Sequence, residues 1–266
     1  MSAETLTVER RGPIAGGIAD SLAVAWRNLI TYRRLPQLLV FSTIQPVIFV
    51  VMFRYVFGGA IDVPGDIPYV DFLMPGIFVQ TAVFGSIAAA VGLAADLKTG
   101  ILERFRALPM SRAAVLAGRT TADLARNVFV VVLISVVGFA VGFRIHTNAM
   151  AFVAGMGLVL LFSWALSWVF ATLGLAVRDP EAAQAAAFPI IAPLVFASTA
   201  FVPLETMPGW LQVFAEHQPV SVTASAVRAL VIGGPTADLV LRSIAWSVGI
   251  ILVFAPIAVR RYRRTV

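Results

Sequence analysis

An all-α membrane protein with six transmembrane helices is the fold class this sequence predicts, from its composition, its long apolar runs and the placement of its charges. Hydrophobic residues are 59% of the 266 residues and charged residues 13%, with a mean hydropathy of +0.90. An ordinary soluble domain carries roughly 25% charged residues. Six stretches are apolar over the roughly 20 helical residues needed to cross about 30 Å of hydrocarbon: 37–58, 72–95, 120–143, 149–177, 185–203 and 239–259. Runs such as QLLVFSTIQPVIFVVMF and VFVVVLISVVGFAVGF are continuously apolar. Barrel strands would alternate over about ten residues.

The charges orient these spans. Sixteen of the 20 basic residues fall before span one, around the second connection, at Arg178 or in the tail from Arg260. The positive-inside rule then places both termini in the cytoplasm. The net charge of +6 therefore records topology, and no nucleic-acid partner is expected. The first apolar run begins only at Gln37, behind a charged lead, and is too long for a signal peptide's core, so span one is expected to act as an uncleaved anchor. Cys is absent, which excludes disulfides, thiol nucleophiles and Cys-ligated metals.

Residues 1–36 form a cytoplasmic N-terminal segment, followed by a transmembrane domain over 37–266. Within the segment, Ile18, Leu22, Trp26, Leu29 and Ile30 share one helical stripe over 18–36, with Arg27, Arg33 and Arg34 beside it. This predicts an interfacial helix lying on the membrane, with Trp26 at the interface; the alternative is a solvated basic leader. The first outer loop, GGAIDVPGDIPYVD, has no basic residue. Short third and fourth connections make spans three and four antiparallel neighbours. Span five contains Pro189, Pro193 and Pro203, which invite kinks; it is either a pathway wall or an ordinary packing helix. Gln80 and Thr81 in span two, with Pro189, Pro193, Ser198 and Thr199 in span five, are the candidate pathway residues. WLQVFAEH and VSVTASAVRALVIG are too short to span and read as two outer re-entrant helices, with Trp210 and Phe214 on one face, Pro219 at the break and Arg228 in the second. Gly138 and Gly142 form a GxxxG, weak evidence for any one interface. No internal repeat is visible.

Several chemistries lack their residues. The only lysine, Lys98, follows no GxxxxGK[ST] loop, so the chain has no phosphate cradle of its own. His146 and His217 sit in predicted outer loops, which leaves no metal cluster and no base beside Ser86, Ser135, Ser163 or Ser167; these serines read as packing donors. Arg54, Asp71, Asp123, Arg126, Asp238 and Arg242 all fall near predicted span ends, where side chains snorkel. Arg54 and Arg242 either do so, pair with Asp71 or Asp238, or line an outer vestibule.

The stretch DLKTGILERFRALPMSR, 96–112, carries a compact charge cluster. Ile101, Leu102, Phe105 and Leu108 fall within an arc of about 120° and Glu103 points away. An amphipathic helix between Gly100 and Pro109 follows, with lipid or spans behind it and a cytoplasmic ridge. It is either a docking ridge for a soluble partner or a basic loop that fixes topology.

The run from Lys98 to Arg112 resembles the signature of ABC-2 type transporter permeases, commonly charged-x-G-T-L-E-R-L-x-x-x-P-x-S-R, and is similar in particular to the small daunorubicin-resistance-type membrane subunits. FLMPGIF, FVPLETMPGWLQ and QPVSVTASAVRALVIGG extend the likeness over most of the chain. Ile101 replaces the common Thr, and Gln218 stands where Asn often precedes Pro219. The resemblance implies one half of a bacterial exporter's membrane domain in the cell (inner) membrane. That half pairs with itself or a sibling and is driven by a separate ATPase subunit, which holds ATP and Mg; this chain would bind no cofactor. It implies a coupling helix with that role on Gly100, Glu103, Arg104, Phe105, Arg106, Pro109 and Arg112. The short loops favour a drug or lipid-like substrate over a lipid-linked glycan. An ion-coupled transporter or channel and an intramembrane hydrolase are the readings from other classes.

Overall fold

The computed structural model describes residues 13–34, 36–58, 67–101 and 112–265, and among them the chain is helical, without a strand. In order the helices are α1 (Pro13–Arg34), α2 (Pro36–Met52), a π turn (Phe53–Phe57), α3 (Tyr69–Lys98), α4 (Arg112–Ala140), α5 (Ala149–Val177), α6 (Pro180–Phe196), a 3₁₀ turn (Leu204–Thr206), α7 (Gly209–His217), α8 (Pro219–Ile232) and α9 (Ala237–Thr265). Four of them, α3, α4, α5 and α9, are long and apolar enough to cross a membrane; stretches of α2, α6 and α8 are shorter apolar helices. The ridge over 102–111 lies outside the described residues, so Glu103, Arg104, Phe105, Arg106 and Pro109 do too.

The bundle is organised around α3, which is apolar all round and is buried without interruption from Tyr69 to Val83. Such a helix requires neighbours on every side, and α5, α6, α8 and α4 supply them. Close approach is set by small residues: a Cβ on Gly174 of α5 would collide with the Ala90 carbonyl of α3, and one on Gly76 of α3 with the Ala200 carbonyl. A second cluster, Leu93, Leu116, Trp168, Leu175, Ala258 and Tyr262, gathers the C-terminal ends of α3, α5 and α9 and the start of α4. This is the basic end. The opposite end holds the start of α3, the α4–α5 connection, and α7 and α8. α1 lies against α4, where Gly118 leaves room for Ser21 and Val24.

Several expectations change. Span five was predicted over 185–203, but α6 stops at Phe196, and Ser198 and Thr199 sit in the buried turn beyond it. The cause is local: Ala197 leaves helical geometry, and the carbonyls of Leu194 and Ala197 are taken by the Gln218 side chain. α4 runs from Arg112 to Ala140, so the helix leading into span three starts directly after Ser111, where a cap was expected, and Arg119 and Arg126 belong to its interior. Gly138 packs on the Met74 side chain, whereas Gly142 lies beyond the helix at φ 104° with nothing near its absent Cβ. The GxxxG is thus no paired packing face. Arg54 donates to the Val141 carbonyl at 3.4 Å, while Asp238 pairs with Arg242 one turn along α9 at 2.9 Å. Ser86, Ser135 and Ser167 donate to carbonyls of their own helices; of the four, Ser163 bridges helices.

Two glycines of α5 test this packing. Gly174→Ala is expected to cost roughly 1–3 kcal/mol through overpacking, whereas Gly157→Ala, with nothing within 4 Å of the added Cβ, should be neutral or stabilising by up to about 1 kcal/mol. Melting of the detergent-solubilised chain reads both.

Candidate functional site

Polar groups collect at three levels of the bundle. At the basic end, Asp96 near the end of α3 accepts from Arg119 Nη1 of α4 at 2.8 Å and stands 3.7 Å from Arg27 of α1. Arg119 also lies 3.9 Å from the fully buried Asp123. One carboxylate therefore braces α1 to α3 and α4, the two helices that flank 102–111. Gly100 ends α3 at φ 69°, a left-handed conformation that favours glycine, and turns the chain into that stretch. Lys98 adds a second link, 2.7 Å from Asp179, which also caps α6 through the amides of Glu181 and Ala182. The Lys98 ammonium holds the Asp179 carboxyl below the usual carboxylate range. The pair is exposed, so its stabilisation is small. On α1, Trp26 and Arg34 are exposed and Arg27 donates to Asn28; Arg33 lies on the same helix and Arg112 opens α4.

The second level corrects the snorkelling assignment. Arg126 lies at the midpoint of α4 and is 9% exposed. Its Nη2 donates to the Gly85 carbonyl of α3 and to Asn127 Oδ1. Asn127 in turn donates to Ser163 of α5. An arginine deep in a span costs about 3 kcal/mol on insertion scales, and each hydrogen bond from a charged group returns about 1.5–3 kcal/mol. Gly85 is needed here because a Cβ would stand 2.6 Å from Asn127 Oδ1. Beside Arg126, between α2, α3 and α4, lies a cavity of about 130 Å³ bordered by Ser42, Gln45, Thr81 and Asn127. Gln80 and Thr81, expected along a pathway, are both buried on α3 here. Pro189 and Pro193 lie within α6, away from this cavity's lining.

At the opposite end, Asp71 is also interior, at 1% exposure. Its oxygens accept from the Arg144 amide at 2.8 Å and meet His146 Nε2 at 2.7 Å. The His146 amide and Thr147 hydroxyl reach the end of α8, so the α4–α5 connection straps α3 to α8. Arg228 of α8 stacks on the Phe72 ring, 3.8 Å from its centroid, and donates to the carbonyls of Phe72 at 3.1 Å and Thr199 at 2.7 Å. Thr199 lies within reach of Ser221 and Ser225. Two separately predicted groups, the pathway residues and the re-entrant region, meet at this arginine. It lines a cavity of about 460 Å³ with Glu205, Glu216 and Arg242. Gln218 closes the level: it bonds α6 carbonyls through Nε2 and caps α8 by accepting from Val220 through Oε1. Pro219 is the first residue of α8, and Trp210 and Phe214 share an exposed face of α7.

Sequence reasoning gave Asp96, Arg119 and Asn127 no role of their own, read Arg126 as a snorkelling residue and met Gln218 only as a departure from the family pattern. A signal was present for some of them: Arg119, Asp123 and Arg126 recur at the spacing of one helical face, and a charged face inside an apolar helix points inward.

A family model of the ABC-2 type transporter matches residues 20–232. The chain is 33% identical to the "Daunorubicin resistance ABC transporter permease protein DrrB1" of Streptomyces coeruleorubidus, over 97% of this chain and 91% of that protein. It is 28% identical to the "Probable doxorubicin resistance ABC transporter permease protein DrrC" of Mycobacterium tuberculosis (strain CDC 1551 / Oshkosh), over 93% and 89%. It is 29% identical to the "Doxorubicin resistance ABC transporter permease protein DrrB" of the same strain, over 76% and 74%.

Two substitutions test the site. Asp96→Ala leaves the largely buried Arg119 without its nearest carboxylate and is expected to cost about 3–5 kcal/mol; exchanging the pair, Asp96→Arg with Arg119→Asp, should recover part of that in the same melting assay. Gln218→Ala, which frees two α6 carbonyls, should destabilise by about 1–3 kcal/mol, and Gln218→Asn should show whether the longer side chain is required for both contacts.

Proposed function

The chain belongs to the ABC-2 type transporter family, and from that premise we propose that it is the membrane-spanning subunit of an ATP-driven exporter. It moves a hydrophobic or amphipathic substrate, drug or lipid-like, outward from the cytoplasm or inner leaflet. A separate cytoplasmic ATPase holds ATP and Mg, since the sequence has no phosphate loop of its own. The chain pairs with a second copy or a sibling half in the bacterial cell membrane, with both termini cytoplasmic. The drug-resistance names of its relatives support the substrate class.

In this reading six helices cross the bilayer. α2 and its π turn run from Pro36 to Phe57, enough at 1.5 Å per residue for about 30 Å of hydrocarbon. α6 has 17 residues, and the buried turn after it completes the crossing. α7 and α8 form the outer re-entrant pair, and the 460 Å³ cavity beneath them is an outer vestibule. α1 lies at the inner interface.

The observation that carries the proposal is the Asp96 brace. A force on the ridge over 102–111 enters α3 and α4 at Gly100 and Arg112, and Asp96 ties both stems to α1. The bundle cannot take up that load at one helix alone. Glu103, Arg104, Phe105, Arg106 and Pro109, the predicted coupling residues, are where the ATPase presses. A second reading, an ion-coupled transporter, draws on the buried Asp71, Asp123 and Arg126; transport that follows a proton or sodium gradient and ignores ATP depletion would favour it.

With the ATPase co-reconstituted, Glu103→Ala and Arg104→Ala are expected to lower substrate-stimulated ATP hydrolysis roughly two- to thirtyfold, the range of a 0.5–2 kcal/mol coupling change. Wild-type partner binding and wild-type stimulation in both variants would refute the coupling assignment.

A further inference from the structure

The polar surroundings of Arg126 are unbalanced. Towards the basic end of α4, Arg119 faces Asp96 and Asp123. Arg126 has carbonyl and amide partners on Nη2, and among the described residues no carboxylate lies within ion-pair distance of it. Its Nε is buried without a hydrogen-bond partner, and so is the Thr81 hydroxyl across the cavity. A cation in low dielectric attracts an anion far more strongly than at a wet surface.

The cavity restricts what that anion is attached to. Its 130 Å³ are bordered by Arg126, Asn127, Thr81, Ser42 and Gln45 on the polar side and by Pro46, Phe84 and Val130 on the apolar side. Gln45 is exposed, so the mouth opens across α2. Ile44, Ile48 and Val51 make an exposed aliphatic ridge on that same helix. A free anion would have to cross hydrocarbon to reach such a mouth. An amphiphile already in the bilayer arrives by sliding along the ridge with its head turned inward.

We infer that the cavity between α2, α3 and α4 is a binding site for the anionic oxygen head, phosphate or carboxylate, of a membrane amphiphile, with Arg126 as its counter-charge. Thr81 and Gln45 supply hydrogen bonds to the head, and the aliphatic ridge of α2 carries the chains. The site rests on the placement of α2 across the bilayer in the reading above and on burial and charge within this chain, and it requires neither ATP nor export.

The test is native mass spectrometry of the purified full-length chain in detergent, titrated with dioleoyl phosphatidate, dioleoylglycerol and inorganic phosphate. The two lipids differ only in the anionic head. The wild type should prefer phosphatidate by about tenfold or more, as a charge-assisted contact requires. Arg126→Gln should abolish the preference, and Arg126→Lys should keep part of it. Should Arg126→Gln fail to fold, Gln45→Leu, at the exposed rim, and the isosteric Thr81→Val carry the test, each expected to weaken phosphatidate binding about threefold or more. An equal affinity of the wild type for both lipids overturns the proposal, as does a preference unchanged in Gln45→Leu and Thr81→Val. Inorganic phosphate binding as tightly as phosphatidate overturns the assignment to a membrane amphiphile. None of these readouts involves ATP or transport, so their failure is separate from failure of the exporter assignment.

Discussion

Inside hydrocarbon no water is available to satisfy a polar group, and the rest of this bundle follows from where its buried polar groups find partners. The central case is the contact of Arg126 with the Gly85 carbonyl, extended through Asn127 to Ser163. It fixes α4 and α5 against α3 at mid-height. Gly85 makes that meeting possible by having no side chain, as Gly174 does for α5 against α3 and Gly118 for α1 against α4. Hydrophobic packing holds the helices together without choosing a register, because lipid is as apolar as leucine. Hydrogen bonds across helices and close backbone contacts choose it.

The two ends of the bundle are held by contacts of different kinds. At the basic end, ionic contacts join elements distant in sequence: Arg27, Asp96 and Arg119 on three helices, and Lys98 with Asp179. Such links hold α1, α3, α4 and the start of α6 to one another. At the opposite end, neutral carbonyl and hydroxyl contacts surround one arginine, and Gln218 splices the end of α6 to the start of α8. Stacked rings of Phe53 and Phe201, 4.7 Å apart, tie the end of α2 to the same turn. α3 carries all three polar levels along its length, through Asp71, Gly85 and Asp96.

Much of the fold was legible in the sequence because a bilayer imposes a simple rule: a run of about 20 apolar residues becomes a helix. The long helices α3, α5 and α9 fall where the runs fall, and α7 and α8 divide at Pro219 as its missing amide hydrogen suggests. The candidate site was legible in parts. Arg228 and Thr199 were each recognised, yet their contact spans 29 positions and leaves no local trace. The helix of span five was read too long because the run from Ala197 to Pro203 stays largely apolar after α6 has ended. Arg126 was read as snorkelling because it lies near the start of the apolar run 120–143, whereas it sits at the midpoint of α4 with its side chain turned inward.

The sequence by itself determined the helical, membrane-embedded class, the short re-entrant-length helices and the family, because these depend on composition, run length and local motifs. Only the tertiary structure decided which charges are interior. Asp71, Asp123 and Arg126 look alike in a hydropathy profile, and their meaning depends on the group facing each of them: a histidine, an arginine, and a backbone carbonyl beside an open polar cavity. Burial energy is set by that neighbour in space, and its position along the chain does not reveal it.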